Sequence, residues 1–213
     1  RIRRIQAHRN EGITGVAFLP DGRRAVSTGR DGSAQLWNLD TGREIRSWDC
    51  KSQVQSMALS HDGRQLLCGL RNSAALLVDV ETGQEIHRLR GPNCSFGGAA
   101  LSPDGRRALG SSHGGDGARR VIFDWDLEKG TEVSHFGEDL GVVMGLAFMP
   151  DSRHVLLGPQ DLILWDLNMG TEVRRFRGHT AGIWRVAVSA DGRYAISAGL
   201  DKTVRVWKLP AQK

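Results

Sequence analysis

Two sets of residues in this sequence combine the side chains of a strong polar network, a histidine, an aspartate and a tryptophan. The sets consist of His8, Asp31 and Trp37, and of His179, Asp201 and Trp207. In both sets the aspartate precedes the tryptophan by six residues. A buried indole N–H needs a hydrogen-bond partner, and an aspartate carboxylate can accept from the backbone or from an imidazole. The spacing therefore predicts a network that ties separate segments of the chain together.

Patterns typical of catalytic or metal sites are not apparent in the sequence. No serine, histidine and aspartate, and no pair of carboxylates, stand in a recognisable catalytic arrangement. The glycine-rich segment 111–117 has neither the helix nor the lysine of a phosphate-binding loop. Cys50, Cys68 and Cys94 are odd in number and far apart, which favours neither a zinc site nor a disulfide framework. We therefore expect no enzymatic activity, no cofactor and no metal.

The composition indicates an all-β protein in a reducing compartment. Glycine is frequent, at 27 residues, and proline is rare, at 6, which suits many tight turns. No apolar run approaches the roughly 20 residues of a membrane helix, and no signal peptide opens the chain, so we expect a cytoplasmic protein with no membrane partner. Arginine greatly outnumbers lysine, a ratio associated with bacterial coding sequences. The chain starts without methionine, from which we expect a piece of a longer protein.

Three markers recur along the chain with a period of 40 to 47 residues. The first is a turn around an aspartate, at Asp21, Asp62, Asp104, Asp151 and Asp191. The second is a large apolar residue, at Trp37, Val78, Trp125, Trp165 and Trp207. The third is a glycine, at Gly42, Gly83, Gly130 and Gly170. Because the markers share one period, the sequence predicts a single domain, 1–213, of five repeats. Their approximate bounds are 6–48, 49–90, 91–136, 137–177 and 178–209.

Each repeat contains four short segments with strand-like patterns, separated by turn residues. In the first repeat these segments are 13–18, 24–27, 34–38 and 44–48, which we denote strands a to d. Strand d alternates polar and apolar residues, as a half-exposed strand does. The inner strands carry apolar residues on both faces, which fits sheets packed between neighbouring sheets.

The residues at 178–179, Asp201 and Trp207, with the Trp-Asp pairs at 125–126 and 165–166, resemble the motifs of the WD-repeat family. The repeats look like those attached to bacterial serine/threonine kinases. The resemblance covers essentially the whole chain. It implies an all-β WD-repeat propeller of five four-stranded antiparallel blades around a central channel. It also implies that the His–Asp–Trp sets are structural and not catalytic.

The middle repeats depart from the family pattern. Repeat 2 has Val78 in place of tryptophan and Asn72 in place of aspartate, repeat 3 carries an insertion at 111–120, and repeat 4 is shortened and lacks the aspartate. Gly29 and Gly199 stand where the family often has serine or threonine. Only repeats 1 and 5 can form the polar network, so we expect the middle blades to depend on apolar packing.

Ring closure has two alternatives. Residues 1–5 resemble strand d of the other repeats, while repeat 5 stops after its strand c. Residues 1–5 could therefore be the outer strand of the last blade and close a ring of five blades. Many WD propellers have seven blades, so the five repeats could instead be an arc of a larger ring. The exposed blade faces of an arc would favour self-association.

The resemblance further implies a peptide-binding face where the d–a and b–c loops emerge. The family's binding positions fall at Thr14, Gln55, Gly97, Met144 and Trp184 in strand a, and at Arg30, Arg71 and Leu200 before the b–c turn. Trp184 is the strongest candidate, because Ile183 and Val186 can fill core positions and leave its indole toward the channel mouth. Exposed tryptophan and arginine often dominate binding. The alternative is that Trp184 only plugs the channel.

The function that these observations favour is a non-catalytic scaffold that binds a protein or peptide around the channel. One alternative is a regulatory region of a bacterial multidomain kinase. Another is binding of nucleic acid or an acidic ligand by the basic residues of strand d and the a–b turns. Those residues are Arg3, Arg4, Arg23, Arg24, Arg106, Arg107, Arg174, Arg175 and Arg177. Protection of exposed edge strands by charge explains the same arginines.

Overall fold

The computed structural model describes residues 4–8, 11–91, 95–113 and 120–210. In this part of the chain, nineteen strands form five antiparallel sheets of consecutive strands, which we call blades 1 to 5. Blade 1 contains β1 (Ile13–Phe18), β2 (Arg24–Gly29), β3 (Ser33–Asn38) and β4 (Arg43–Asp49). Blade 2 contains β5 (Val54–Leu59), β6 (Gln65–Leu70), β7 (Ala74–Asp79) and β8 (Glu85–Arg90).

The remaining blades follow the same order. Blade 3 contains β9 (Ser95–Leu101), β10 (Arg107–His113), β11 (Ile122–Asp126) and β12 (Thr131–Phe136). Blade 4 contains β13 (Gly145–Phe148), β14 (His154–Gly158), β15 (Leu162–Asp166) and β16 (Thr171–Phe176). Blade 5 contains β17 (Ile183–Val188), β18 (Tyr194–Gly199) and β19 (Val204–Lys208). A 3₁₀ helix (Glu138–Leu140) precedes blade 4. The predicted all-β propeller with five blades is thus confirmed. No helix in the described residues is long and apolar enough to cross a membrane.

The recurring aspartate builds the a–b turn of each blade. In blade 1 the carboxylate of Asp21 accepts hydrogen bonds from the backbone N–H groups of Arg23 and Arg24, at 2.8 and 3.0 Å. Gly22 turns the chain with a φ of 66°, a conformation that glycine adopts without steric cost. The same aspartate-to-backbone bonds recur at Asp62, Asp104, Asp151 and Asp191. The first sequence marker is therefore a turn signal with a direct structural cause.

The core lies between the blades rather than in one central mass. Apolar side chains from each pair of neighbouring sheets form a separate buried cluster, four in all among the described residues. Strand β6 shows how one strand serves two clusters. Its residues Leu66, Cys68 and Leu70 pack toward blade 1, while Leu67 packs toward blade 3. Successive side chains of a strand point to opposite faces, so an inner strand buried on both sides must be apolar throughout.

The outward faces of the first and last blades stay exposed. Val16 and Phe18 of β1 are 71% and 74% exposed, and Val204 and Val206 of β19 are 64% and 70% exposed. Val206 corresponds to Leu36 of blade 1, which is buried against blade 2. Within the described residues the five blades therefore form an arc with two open apolar faces. Self-association through these faces stays a prediction.

The predicted closing strand falls largely outside the described residues, because these exclude residues 1–3. Arg4 and Ile5 are not part of a strand. Ile5 lies over blade 1, in an apolar hollow that it shares with Ile13, Val16 and Trp37. In the described part of the chain, β19 pairs with β18 and with no other strand. Pairing of residues 1–5 with the last blade thus stays a prediction.

Candidate functional site

A buried serine links each predicted histidine to its tryptophan. In blade 5, Nδ1 of His179 lies 2.8 Å from the carboxylate of Asp201, and its Nε2 lies 2.8 Å from Oγ of Ser197. The indole N–H of Trp207 donates to the same Oγ at 2.9 Å. Blade 1 repeats this geometry with His8, Asp31, Ser27 and Trp37, at 3.0, 2.8 and 2.9 Å.

Serine, histidine and aspartate side chains are thus brought together in space, in an arrangement that the sequence analysis did not predict. Two are present, and sequence reasoning missed the serines. The available signal was a serine ten residues before the tryptophan in both the first and the last repeat. The error arose because the serine stands on strand b, whereas the histidine comes from the loop before strand a. Their contact depends on how the sheet folds and not on a short motif.

The chemistry of these networks points to structure. With the aspartate ionised, the histidine Nδ1–H donates to the carboxylate and Nε2 accepts the serine O–H. The serine oxygen is then already occupied by the indole N–H. Ser27 and Ser197 are only 4% and 1% exposed, so both residues are shielded from solvent. Each network instead joins the loop before strand a, strand b, the b–c turn and strand c, and satisfies polar groups that would otherwise be buried unpaired.

Electrostatics fixes the charge of the blade 5 aspartate. Burial opposes ionisation of Asp201, but hydrogen bonds from His179, Thr203 and the backbone N–H of Thr180 outweigh it. The pKa of Asp201 consequently lies well below its ordinary value. The carboxylate stays ionised at neutral pH and can hold the imidazole in the orientation that the serine requires.

The two glycines that depart from the family pattern make room for the histidines. A Cβ on Gly29 would lie 2.5 Å from Nδ1 of His8, and a Cβ on Gly199 would lie 2.6 Å from Nδ1 of His179. Atoms cannot approach so closely without a shift. Glycine at these positions therefore lets the imidazole lie against the strand and reach the serine.

The middle blades replace the network with other contacts. In blade 3, the ring of Trp125 packs against Phe96 and Phe123, with centroids 5.4 and 5.6 Å apart. In blade 4, Trp165 stacks on Phe136 at 5.1 Å. Its indole nitrogen has no hydrogen-bond partner among the described residues. Val78 holds the tryptophan position in blade 2 and is 2% exposed.

Ion pairs made by aspartates on strands β11 and β15 supplement this packing. Asp124 in blade 3 accepts from Nε of Arg107 at 3.0 Å. Asp166 in blade 4 accepts from Nε of Arg153 at 3.0 Å and from two backbone N–H groups. The hydrogen bond from Arg153 is the main cause that lowers the pKa of Asp166 to about 2.

The predicted binding residues fall into three groups. Thr14 and Met144 line the central channel. Trp184 and Leu200 are 47% and 61% exposed and lie on neighbouring segments, because the N–H of Leu200 bonds to the carbonyl of Gly182. The structure therefore places these two exposed apolar residues on neighbouring segments at one end of blade 5, and Trp184 is not among the residues that line the channel.

The other predicted residues contribute less to a common surface. Gln55 is half-buried. Gly97 is buried, and a Cβ there would lie 2.6 Å from Nδ1 of His113. Arg30 and Arg71 are exposed in the b–c turns of blades 1 and 2. Nη1 of Arg71 donates to Gln53 at 3.2 Å. Both arginines belong to the first two blades, whereas Trp184 lies on β17 of blade 5.

The channel itself is small, and its surface is polar and apolar in similar amounts. Its volume is about 300 Å³, and strand a of every blade contributes to it. The lining residues are Thr14, Gly15, Val16, Ala17, Ser56, Met57, Leu59, Gly98, Ala99, Met144, Leu146, Arg185 and Val186. Sequence reasoning missed Arg185, the one charged member of this lining. The available signal was a long cation at a strand position where the other repeats have glycine or serine.

A second cleft lies at the opposite end of the propeller, between the turns of blades 3 and 4. Its volume is about 640 Å³, and it contains Arg106, Arg107 and Arg153 together with four carboxylates. Arg107 and Arg153 are already paired with Asp124 and Asp166. The mixed charge, with most cations neutralised, offers no clear attraction for a ligand of either sign.

Three arginines of the basic rim, Arg24, Arg107 and Arg175, form ion pairs with carboxylates. Arg175 on strand β16 pairs with Glu172 at 2.6 Å and lies 3.6 Å from Asp161. Arg24 lies 2.6 Å from both Asp21 and Glu81. Paired arginines on the outer strands fit protection of sheet edges better than a phosphate-binding surface, which needs cations free to contact successive phosphates.

The buried cysteine pair between blades 1 and 2 has the features of cysteines with low reactivity. Cys50 and Cys68 are free and fully buried. A hydrogen bond with Cys50, together with burial, holds the pKa of the Cys68 thiol well above its ordinary value. A protonated thiol is a poor nucleophile and a poor metal ligand. In the described residues no three side chains of metal-binding type come together.

Comparison with known families matches the two blades that carry the networks. Residues 1–38 and 170–208 match the family described as WD domain, G-beta repeat. The first and last repeats are therefore similar to WD repeats. No curated protein matches the chain. The two matched segments include all six predicted network residues and both serines, whereas the blades between them share the propeller architecture of WD repeats without the network.

Proposed function

We propose that this propeller is a non-catalytic interaction scaffold that binds a peptide or protein segment at the channel mouth. WD propellers generally act as protein-interaction scaffolds. The observation that supports the site is the exposed apolar pair of Trp184 and Leu200, at 47% and 61% exposure, beside the channel. A tryptophan presents a large apolar area and an N–H donor on a rigid strand, which is typical of residues that dominate binding.

The proposal is supported by the rigidity of the surrounding strand. Trp184 is the extra residue of a β-bulge, because Ile183 pairs with Gly199 and Arg185 pairs with Ala198. Bulges redirect side chains and are frequent at functional positions. Ile183 is 2% exposed and anchors the bulge in the core between blades 4 and 5. The indole is thus presented to a partner from a fixed backbone.

Selection from a phage-displayed library of random dodecapeptides tests this function. Peptides selected on the wild-type propeller should lose most of their affinity for the double variant Trp184→Ala with Leu200→Ala. The matched control is Val133→Ala with Val173→Ala, which removes two exposed apolar side chains from the outer strands of blades 3 and 4. The control should bind normally. Failure to select any peptide, or equal loss in both variants, would reject the channel mouth as the binding site.

From the resemblance alone we also propose that the propeller is a regulatory region of a bacterial multidomain kinase and acts in the cytoplasm. The sequence of the full-length gene decides the first point directly.

A further inference from the structure

One position of strand a separates blade 5 from the other four. In blades 1, 2, 3 and 5 it is the first residue paired with strand b after a bulge, and in blade 4 it is the first paired residue of the strand. It is occupied by Gly15, Ser56, Gly98, Gly145 and Arg185. Small residues are required in the first four blades, because this position faces the next blade. A Cβ on Gly98 would lie 2.9 Å from the carbonyl oxygen of Met144, and one on Gly145 would lie 2.8 Å from Val186.

Arg185 places a guanidinium where the other blades have almost no side chain, and it lines the channel. No carboxylate belongs to that lining. The hydrogen bond described for its guanidinium runs from Nη1 to the carbonyl of the adjacent Trp184, at 3.1 Å. No ion pair joins Arg185 to a described carboxylate, in contrast to Arg24, Arg88 and Arg175.

The surroundings of Arg185 favour an anionic partner. Met57, Leu146 and Val186 make much of the lining apolar, and attraction between charges is stronger beside apolar groups than in open water. Arg185 remains exposed to solvent, and partial desolvation by its neighbours lowers its pKa from its ordinary value. A carboxylate would supply the missing acceptors, since it matches the guanidinium fork with two parallel hydrogen bonds.

We propose that the channel receives an acidic side chain of a bound peptide, whose carboxylate pairs with Arg185 while a neighbouring apolar residue of the peptide covers Trp184 and Leu200. This inference rests on the proposed function of the channel mouth. It adds the chemical class of the ligand, a segment in which an aspartate or glutamate adjoins an apolar residue. Arg185 and Trp184 are adjacent in the chain, so both contacts can be made by a few residues of peptide.

The peptides selected on the wild-type propeller provide the test. They should share an acidic residue next to an apolar one, and changing that glutamate to glutamine should weaken binding about 10- to 100-fold, the range expected for charge-assisted hydrogen bonds. On the variant Arg185→Met the same change in the peptide should have no effect. Arg174→Ala with Arg177→Ala is the matched control, because it removes two exposed cations of the outer rim that do not line the channel, and it should preserve the preference for glutamate.

The possible results separate the two proposals. Selected peptides that need Trp184 but tolerate both glutamine and Arg185→Met would overturn the acidic-ligand inference and leave the interaction scaffold standing. A peptide with phosphoserine that binds the wild type more tightly than its glutamate counterpart would overturn the assignment to a carboxylate. Absence of any selected peptide would reject both proposals together. Thermal unfolding of each variant verifies that a loss of binding does not come from unfolding.

Discussion

The inner strands of a blade are held together differently in blades 1 and 5 than in the three blades between them. The outer two join strand c to strand b through a chain of hydrogen bonds from tryptophan to serine to histidine to aspartate. Blade 2 does without this chain. Its β6 and β7 are buried along almost their whole length, with residues such as Leu66, Leu67, Leu77 and Val78 at 2% exposure or less.

The difference follows from how many faces of a blade pack against a neighbouring blade. A middle blade is packed by neighbours on both faces, so apolar burial alone can hold its strands. Blades 1 and 5 each have one face covered in the described structure, and Phe18 and Val206 remain exposed on the other. In blades 1 and 5, which pack against only one neighbouring sheet, the polar networks provide additional links between the strands of the sheet.

The largest expected effect comes from removing central packing. We predict that Phe96→Ala lowers the free energy of unfolding by about 3–5 kcal/mol, because a fully buried ring is replaced by a cavity. Phe96 is 0% exposed and contacts the rings of Phe123 and Trp125. Urea denaturation measures the change. Phe18→Ala makes the same replacement on the open face of blade 1 and should cost less than about 0.5 kcal/mol. Similar costs for the two variants would show that the open face is covered.

A smaller effect is expected from breaking one network. We predict that Ser197→Ala costs about 1–3 kcal/mol, because it leaves Nε2 of His179 and the indole N–H of Trp207 without their shared partner. Ser111→Ala is the control, since Ser111 is 1% exposed and its hydroxyl has no hydrogen-bond partner among the described residues. Chemical denaturation should show almost no loss for the control. Equal losses would mean that burial, rather than the network, decides the cost.

The smallest effect concerns an ion pair of blade 4 and appears only as a pH dependence. Asp166 has a pKa of about 2 in the folded protein, compared with an ordinary value of 3.8. Its ionised form therefore stabilises the fold above pH 3.8, and this contribution disappears as the pH falls toward 2. We predict that Asp166→Asn is less stable than the wild type at pH 7 and that the difference shrinks below about pH 4.

Urea denaturation of both proteins between pH 7 and pH 2.5 gives that difference directly. Arg153→Ala removes the partner that contributes most to the shift and should show the same narrowing. A difference that stays constant across this range would show that the pair does not hold the charge of Asp166.

The fold could be predicted from sequence because it depends on local, repeated signals. The turn at Asp21 needs only its own carboxylate and the next three residues, so the pattern is visible in the chain. The same logic identified Val78 and Asn72 as residues that exclude a network in blade 2. Repetition at a fixed period then supplied the architecture without any knowledge of distant contacts.

The functional residues were harder to predict because they depend on contacts between strands. Ser197 meets His179 across 18 residues of sequence, and no short motif connects them. Arg185 was overlooked because a basic residue in an exposed strand is common. Its significance appears only when the five equivalent positions are aligned in space, because three of the other four are glycines with no room for a Cβ and the fourth is a serine.

The crowding at Gly15, Gly98 and Gly145 has a consequence for curvature. Two neighbouring inner strands can approach at these points because no Cβ separates them, and each methyl group added there would act as a wedge near the axis. A wedge would open the angle between two blades and widen the bore of the channel. The lack of a side chain at these glycines thus helps to set the radius of the propeller. The angles between neighbouring blades add up around the axis, and their sum determines how many blades complete a full turn.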